Sequence, residues 1–165
     1  MRIRDYLQSR EVWFQTFLHA PVASASKRAQ TVHVSGRHVA KGVLVKAGGA
    51  YVLAVLPATA MIDLDRLSEV LDGLPVSLAT EDELERVFGD CELGALPPFG
   101  QAYGLRTVVE ASLAAGPEIV CMGNTRHEGV RLRYQDYEAV ESPLRARFAA
   151  PSATRHRRES HRRAG

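Results

Sequence analysis

Hydrophobic and polar positions alternate along this chain in short blocks, and no helical period persists for long. Residues 2–9 read as a short helix, and Val12 to Leu18 as a strand rich in aromatic and β-branched residues. A small-residue loop, HAPVASAS, leads to an expected helical stretch near Ser26–Val32, which Ser35-Gly36 breaks. Val39–Ala47 and Ala50–Leu56 flank Gly48-Gly49. Two apolar runs around paired glycines predict a β-hairpin, because glycine tolerates the positive φ of tight hairpin turns. The second run, AYVLAVL, is apolar at almost every position, which predicts a strand buried on both faces. Asp63 is placed to cap a helix with Leu64, Leu67 and Leu71 on one face, ending before Gly73. Pro75–Ala79 reads as a short strand. Thr80-Glu81-Asp82-Glu83 has the capping-box pattern and predicts a helix to about Phe88. After the long loop GDCELGALPPFGQAYG come a strand at Val108-Val109, a short helix near Ser112 and a strand at Glu118–Met122. Gly129–Arg133 alternates like a half-buried strand, and Tyr134–Val140 reads as the last helix.

Six or seven strands and four or five short helices result, and they do not alternate as regular strand–helix pairs. The pattern predicts a mixed α/β fold, a mostly antiparallel curved sheet or partial barrel with short flanking helices, rather than a Rossmann fold. Residues 1–150 are expected to form one domain. Residues 151–165 are small, polar and basic, and are expected to be a disordered tail.

Composition narrows the classes. With 165 residues, 45% hydrophobic and 24% charged, the chain is neither collagen, coiled coil nor disulfide scaffold. No apolar run reaches the roughly 18 residues of a membrane span, so no membrane partner is expected. The start, MRIRDYLQSREVW, lacks the apolar segment of a secretory signal, and the expected location is cytoplasmic. Cys91 and Cys121 form no C-x-x-C motif and are expected as thiols. The net charge of +2 hides an asymmetry: the tail carries Arg155, Arg157, Arg158, Arg162 and Arg163 against Glu159. Such a tail can form a cationic arm for RNA phosphates, or simply be solvated. The chain holds 18 arginines but only three lysines, Lys27, Lys41 and Lys46.

No dinucleotide, phosphate-loop, nucleophile-elbow or zincin motif is present. The six histidines lack metal-ligand spacing, and neither metal nor cofactor is expected. Three features remain. Lys41 shares a strand face with Val39, Val43 and Val45, whereas Lys46 lies on the other face beside the Gly-Gly turn. A buried, unpaired ammonium costs several kcal/mol, so Lys41 needs an anion, a ligand or a wet cleft, unless it snorkels at a sheet end. The loop from Gly94 to Gly100 holds Pro97 and Pro98 between glycines, and can present backbone groups to a ligand or serve as a plain connection. Gly123-Asn124-Thr125-Arg126-His127 leaves an apolar strand and offers polar groups at its end, or makes an ordinary turn.

Taken in order, these features resemble a known family. VAKGVLVKAGGAYVLAVLPATAMIDLDRLSEVL, ATEDELERVFGDCELGALPPFG and MGNTRHEGVRLRYQDYEAV are similar to successive segments of the YbaK / prolyl-tRNA-synthetase-associated domain family, a likeness that covers about residues 10–142. The resemblance implies a partly closed mixed α/β fold and hydrolysis of the ester joining a wrong amino acid to transfer RNA. It places Lys41 on the family's functional lysine and Gly94 on the glycine whose backbone lines the reaction site. Pro98 falls on the loop proline, and Gly123 and His127 join the substrate side, His127 matching a histidine of some members only. Gly42 stands where Thr or Ser is common, and Ala95 where a second glycine is frequent. The implied partners are the acceptor end of aminoacyl-tRNA and an aminoacyl-tRNA synthetase. Two other readings remain: a non-catalytic nucleotide- or RNA-binding module that keeps the fold, and an interaction domain whose basic tail makes the RNA contact.

Overall fold

The computed structural model describes residues 2–18, 36–92 and 94–151. The helix expected near Ser26–Val32 and the tail beyond Pro151 lie outside the described residues. Ten strands and four α-helices are seen among those described. In chain order they are α1 (Ile3–Ser9), β1 (Phe14–Leu18), β2 (Ala40–Ala47), β3 (Ala50–Pro57), β4 (Ala60–Ile62) and α2 (Leu64–Val70). Then come β5 (Val76–Leu78), α3 (Glu81–Val87), β6 (Arg106–Glu110), β7 (Glu118–Met122), β8 (Glu128–Arg133), α4 (Tyr134–Glu141), β9 (Leu144–Ala146) and β10 (Ala149–Pro151). Single 3₁₀ turns cover Gly36–His38, Gly100–Tyr103 and Ala111–Ala115.

The fold is mixed α/β, with mostly antiparallel sheets and no closed barrel among the described residues. Strands β5-β2-β3-β6-β9 form one sheet, β1-β8-β7 a second, and β10-β4 a two-stranded ribbon. Among the described strands, β3–β6 and β6–β9 pair in parallel and the other ladders are antiparallel. The β2–β3 hairpin runs in full register from Ala40↔Pro57 to Ala47↔Ala50 around Gly48 and Gly49, both at positive φ. Strand β3 is central, and Val52 to Pro57 are buried, as its unbroken apolar sequence predicts. Asp63 Oδ1 accepts from the amides of Asp65 and Arg66, each at 3.1 Å, and Thr80 Oγ1 accepts from the amide of Glu83 at 3.2 Å, so both predicted caps start their helices.

The alternation of β2 divides the interior. Ala40 and Leu44 join a core with Leu53, Val55, Phe99, Tyr137 and the buried face of α1. Val45 and Ala47 join a second, with Val52, Ala54, Leu56, Leu67, Leu71 and Phe148. The two sheets meet where Val39 bridges Val120 of β7.

The strand count exceeds the six or seven expected, because β4, β9 and β10 hold three residues each and show no periodicity of their own. Their order comes from partners far along the chain. The buried Glu110 carboxylate accepts from the amides of Phe148 and Ala149 at 2.7 and 2.8 Å, which fixes the corner before β10 and seats Phe148 in the second core. Replacing Glu110 by Ala leaves these two donors unpaired, and each orphaned buried donor costs about 1–3 kcal/mol. Glu110→Ala is therefore expected to lower stability by about 2–4 kcal/mol. A lower urea midpoint at unchanged m-value checks this.

Candidate functional site

Along its full length β2 pairs with β3, but its other edge is only partly covered. It meets β5 at Val45–Ala47, and Val39, just before the strand begins, bridges Val120 of β7. Among the described residues, Lys41, Gly42 and Val43 have no ladder partner on that edge. Beside this gap lies a cavity of about 530 Å³, walled by Gly42, by α3 and by the chain from Phe88 to Leu96. Its lining is apolar at Leu84, Phe88, Ala95 and Leu96 and acidic at Glu81, Asp82, Glu85 and Glu92. Thr80 caps α3 and so orients three of these carboxylates, which the helix N-terminus also favours.

Gly42 decides how wide this cavity is. A side chain there would place its Cβ 3.2 Å from Leu53 Cδ1, which would have to give by a few tenths of an ångström, and in ordinary contact with Leu96 Cγ at 3.5 Å. Gly94 sits at the lip with φ +85°, a left-handed conformation that L side chains rarely adopt. Its N–H finds no acceptor among the described residues, whereas the next amide, Ala95, donates to the Glu92 carbonyl at 2.9 Å. The far end of the loop is fixed. Tyr137 Oη donates to the buried Pro98 carbonyl at 2.9 Å, and the Glu141 carboxylate accepts from the Gln101 amide at 3.2 Å and from Thr107 Oγ1 at 2.9 Å. Burial raises the Glu141 carboxyl above its usual range.

Lys41 and Gly42 leave β2 on opposite faces. The Lys41 ammonium donates to the Ala60 carbonyl at 2.6 Å and pairs with no carboxylate among the described residues. Burial pushes its pKa down. Lys46, on the Gly42 face, binds Glu83 Oε1 at 3.0 Å. Gly94, Ala95 and Gly42 thus line one cavity, with Lys41 adjoining through the backbone but not lining it. Pro98 and Gly123 are buried nearby in the chain and His127 is exposed; none of the three lines the cavity. A Cβ on Gly123 would meet the Glu128 carboxylate at 2.9 Å, so its small size serves the β7–β8 turn. Among the described residues, no group of three His, Cys, Asp or Glu could hold a metal ion.

The same turn holds two residues that the sequence marks only as members of a polar run, with no role of their own. Arg126 lies against the lip: its Cδ is 3.7 Å from where a Gly94 Cβ would be, and its amide donates to Glu92 Oε2 at 2.9 Å. Asn124 is buried and joins three segments. Its carbonyl accepts from the Glu92 amide at 2.9 Å, its Oδ1 accepts from the Ile3 amide at 2.8 Å, and its Nδ2 reaches Tyr103 Oη and Cys91 Sγ. Cys91, at the cavity wall, is pushed up to about 11 by burial, with the Asp90 carboxylate adding to the effect. A polar residue following an apolar strand is a weak signal, and only the tertiary pairing makes Asn124 a joint.

The family model of the aminoacyl-tRNA editing domain matches residues 19–140. The multifunctional Ser/Thr-tRNA deacylase ProXp-y of Escherichia coli K12 is 33% identical over 107 residues, 63% of this chain and 64% of that protein. The chain thus matches under two thirds of that relative's length. A proline–tRNA ligase of Geobacillus thermodenitrificans is 30% identical over 96 residues, 58% of this chain and 17% of the ligase. Among solved structures, a candidate trans-editing enzyme for prolyl-tRNA synthetase superposes with a TM-score of 0.79 at 20% identity, covering 90% of this chain and 94% of its own; at that identity it speaks for the fold.

The site also sets a reactivity. A thiol reacts as its thiolate. Cys91, raised from 9.0 to about 11, is expected to alkylate with iodoacetamide at pH 8 roughly 100-fold more slowly than an unperturbed cysteine, by its smaller thiolate fraction. Its rate should keep climbing with pH after a free thiol has levelled off, as mass spectrometry of the Cys91 peptide would read.

Proposed function

The chain belongs to the aminoacyl-tRNA editing domain family, and from that premise we propose that it hydrolyses, in trans, the ester bond of mischarged aminoacyl-tRNA. The observation that carries the reading is the cavity at the gap in β2 pairing, lined by Gly42 and by the Gly94 lip, beside which Lys41 leaves the same strand on the opposite face. The cavity's four carboxylates repel phosphate and suit the α-ammonium of an aminoacyl group. The amino acid therefore enters the cavity and the polynucleotide stays outside it.

In the proposed reaction, water adds to the ester carbonyl carbon and the bond from that carbon to the ribose oxygen breaks. The proton of the water passes to the ribose oxygen, giving free amino acid and uncharged transfer RNA. Lys41, on the opposite face of β2 from the cavity, holds the terminal adenosine by its charge, which counts for more in its partly desolvated place than it would in water. The backbone at Gly94 positions the water and meets the developing oxyanion with a fixed dipole. Pro98 keeps the loop in shape through Tyr137, and Gly123 sets the β7–β8 turn beside the lip. His127, exposed on that turn, shapes the approach of the substrate. Residues 1–150 act as one editing domain. The basic stretch Arg155–Arg163 serves as an arm for transfer-RNA phosphates, and an aminoacyl-tRNA synthetase is a further partner. The working place is the cytoplasm, with the substrate; among the described residues no helix is long and apolar enough to cross a membrane.

A panel of mischarged transfer RNAs tests the reading. Release of one or more amino acids is expected, and release from none leaves only a binding module. On the best substrate, Lys41→Ala should lose about 100-fold in kcat while the protein stays folded, the scale on which misplacing a bound substrate slows its reaction. Lys46→Ala should change the rate little. Wild-type rates in Lys41→Ala would remove Lys41 from the mechanism. Because charge and backbone dipoles do the work, EDTA should leave the rate unchanged. Loss restored by one divalent ion would overturn that mechanism.

A further inference from the structure

A second concavity, of about 320 Å³, runs between α1 and β1 and is lined by Arg4, Gln8, Val12, Trp13, Phe14 and Thr16. Trp13 is the chain's one tryptophan and is 56% exposed, an unusual place for the largest apolar side chain. The rest of α1 explains itself: Ile3, Tyr6 and Leu7 are buried in the first core. Arg4 and Gln8, four residues apart, fall on one face of the helix above the indole. The groove therefore offers a flat π-face, a guanidinium, an amide and a hydroxyl, and the fold uses none of them in an ion pair or hydrogen bond among the described residues.

From this we propose that the α1/β1 groove is a binding site for an unpaired nucleotide of the transfer-RNA substrate, with the base stacked on Trp13 and the adjoining phosphate on Arg4. The inference rests on the reading of the chain as an editing domain. Its chemistry is that of sequence-tolerant single-strand binding, in which an aromatic face takes any base and a cation tracks the backbone. Placement supports it. The amide of Ile3, next to Arg4, is held by Asn124, whose carbonyl holds Glu92 at the cavity lip. Helix α1, with seven residues, is about 10 Å long, and its first turn is tied to the cavity lip through Asn124. The cavity itself, lined by carboxylates, refuses the phosphates that this groove accepts.

The single indole makes the test direct. Uncharged transfer RNA is titrated into the whole protein while Trp13 emission is followed. Saturable quenching is expected, and a transfer RNA lacking its single-stranded 3′ end should quench weakly or not at all. Trp13→Ala should raise Kd, measured by filter binding, by about fivefold or more, the lower end of what one stacked base is worth, while Trp13→Phe keeps most of the affinity. Arg4→Ala should reduce the slope of log K against log salt by about 0.7, one single-strand phosphate contact. On a mischarged substrate the Trp13→Ala loss should fall in KM rather than kcat. Unquenched Trp13 at saturating transfer RNA, or an unchanged Kd in Trp13→Ala, overturns the proposal. Hydrolysis with an unaltered KM in Trp13→Ala sinks the groove and spares the editing function. Quenching without hydrolysis on any mischarged substrate sinks the editing function and spares the groove.

Discussion

The incomplete pairing of β2 is the constraint on which the site depends. One edge is closed along its whole length by β3, while the other is held at its ends by β5 and by β7. Unpaired backbone inside a sheet is costly unless something else meets it. Here the interval is answered by a loop and a helix that stop short of the strand and leave a cavity. Since side chains alternate across β2, the same interval sends Lys41 to one face and gives Gly42 to the other. A charged group and an open wall thus come from adjacent residues without sharing a surface.

The lip of the cavity has little regular structure of its own and is shaped by buried polar side chains. Asn124 ties the turn after β7 to Glu92 and to the first turn of α1, while Tyr137 and Glu141 hold the segment from Pro98 to Thr107 from the side of α4. Such groups must be satisfied to be tolerated in the interior, so they admit few alternative arrangements. That rigidity is what fixed dipoles at a reaction centre require.

Much of this fold was legible because its signals are local. The Gly48-Gly49 hairpin, the Asp63 and Thr80 caps and the continuous apolar run of β3 each depend on residues within a few positions of one another. The face of Lys41 followed from period two. What escaped depends on distance. Strands β4, β9 and β10 exist because of partners elsewhere, and Glu110 reads from sequence as a strand-end carboxylate rather than the clasp of Phe148 and Ala149. The acidic lining was present as a capping-box helix, but its facing the Gly94 loop is tertiary. Arg126 against Gly94, and Trp13 left outside the core, are likewise settled only when the segments meet.

The tie between Ile3 and Asn124 spans 121 positions, and that between Tyr6 and Glu141 spans 135. Contacts of such separation form slowly, since the loop must close before any of them is rewarded. On a ribosome the β2–β3 hairpin can form early, with its neighbours still inside the exit path. Helix α1 must wait, apolar face exposed, until β7, β8 and α4 have emerged to cover it. The cavity, whose lip is held by the turn after β7 and by α4, is completed only once those segments have emerged. Helix α1 is made long before the segments that cover it, and until they arrive its apolar face is open to association with other chains.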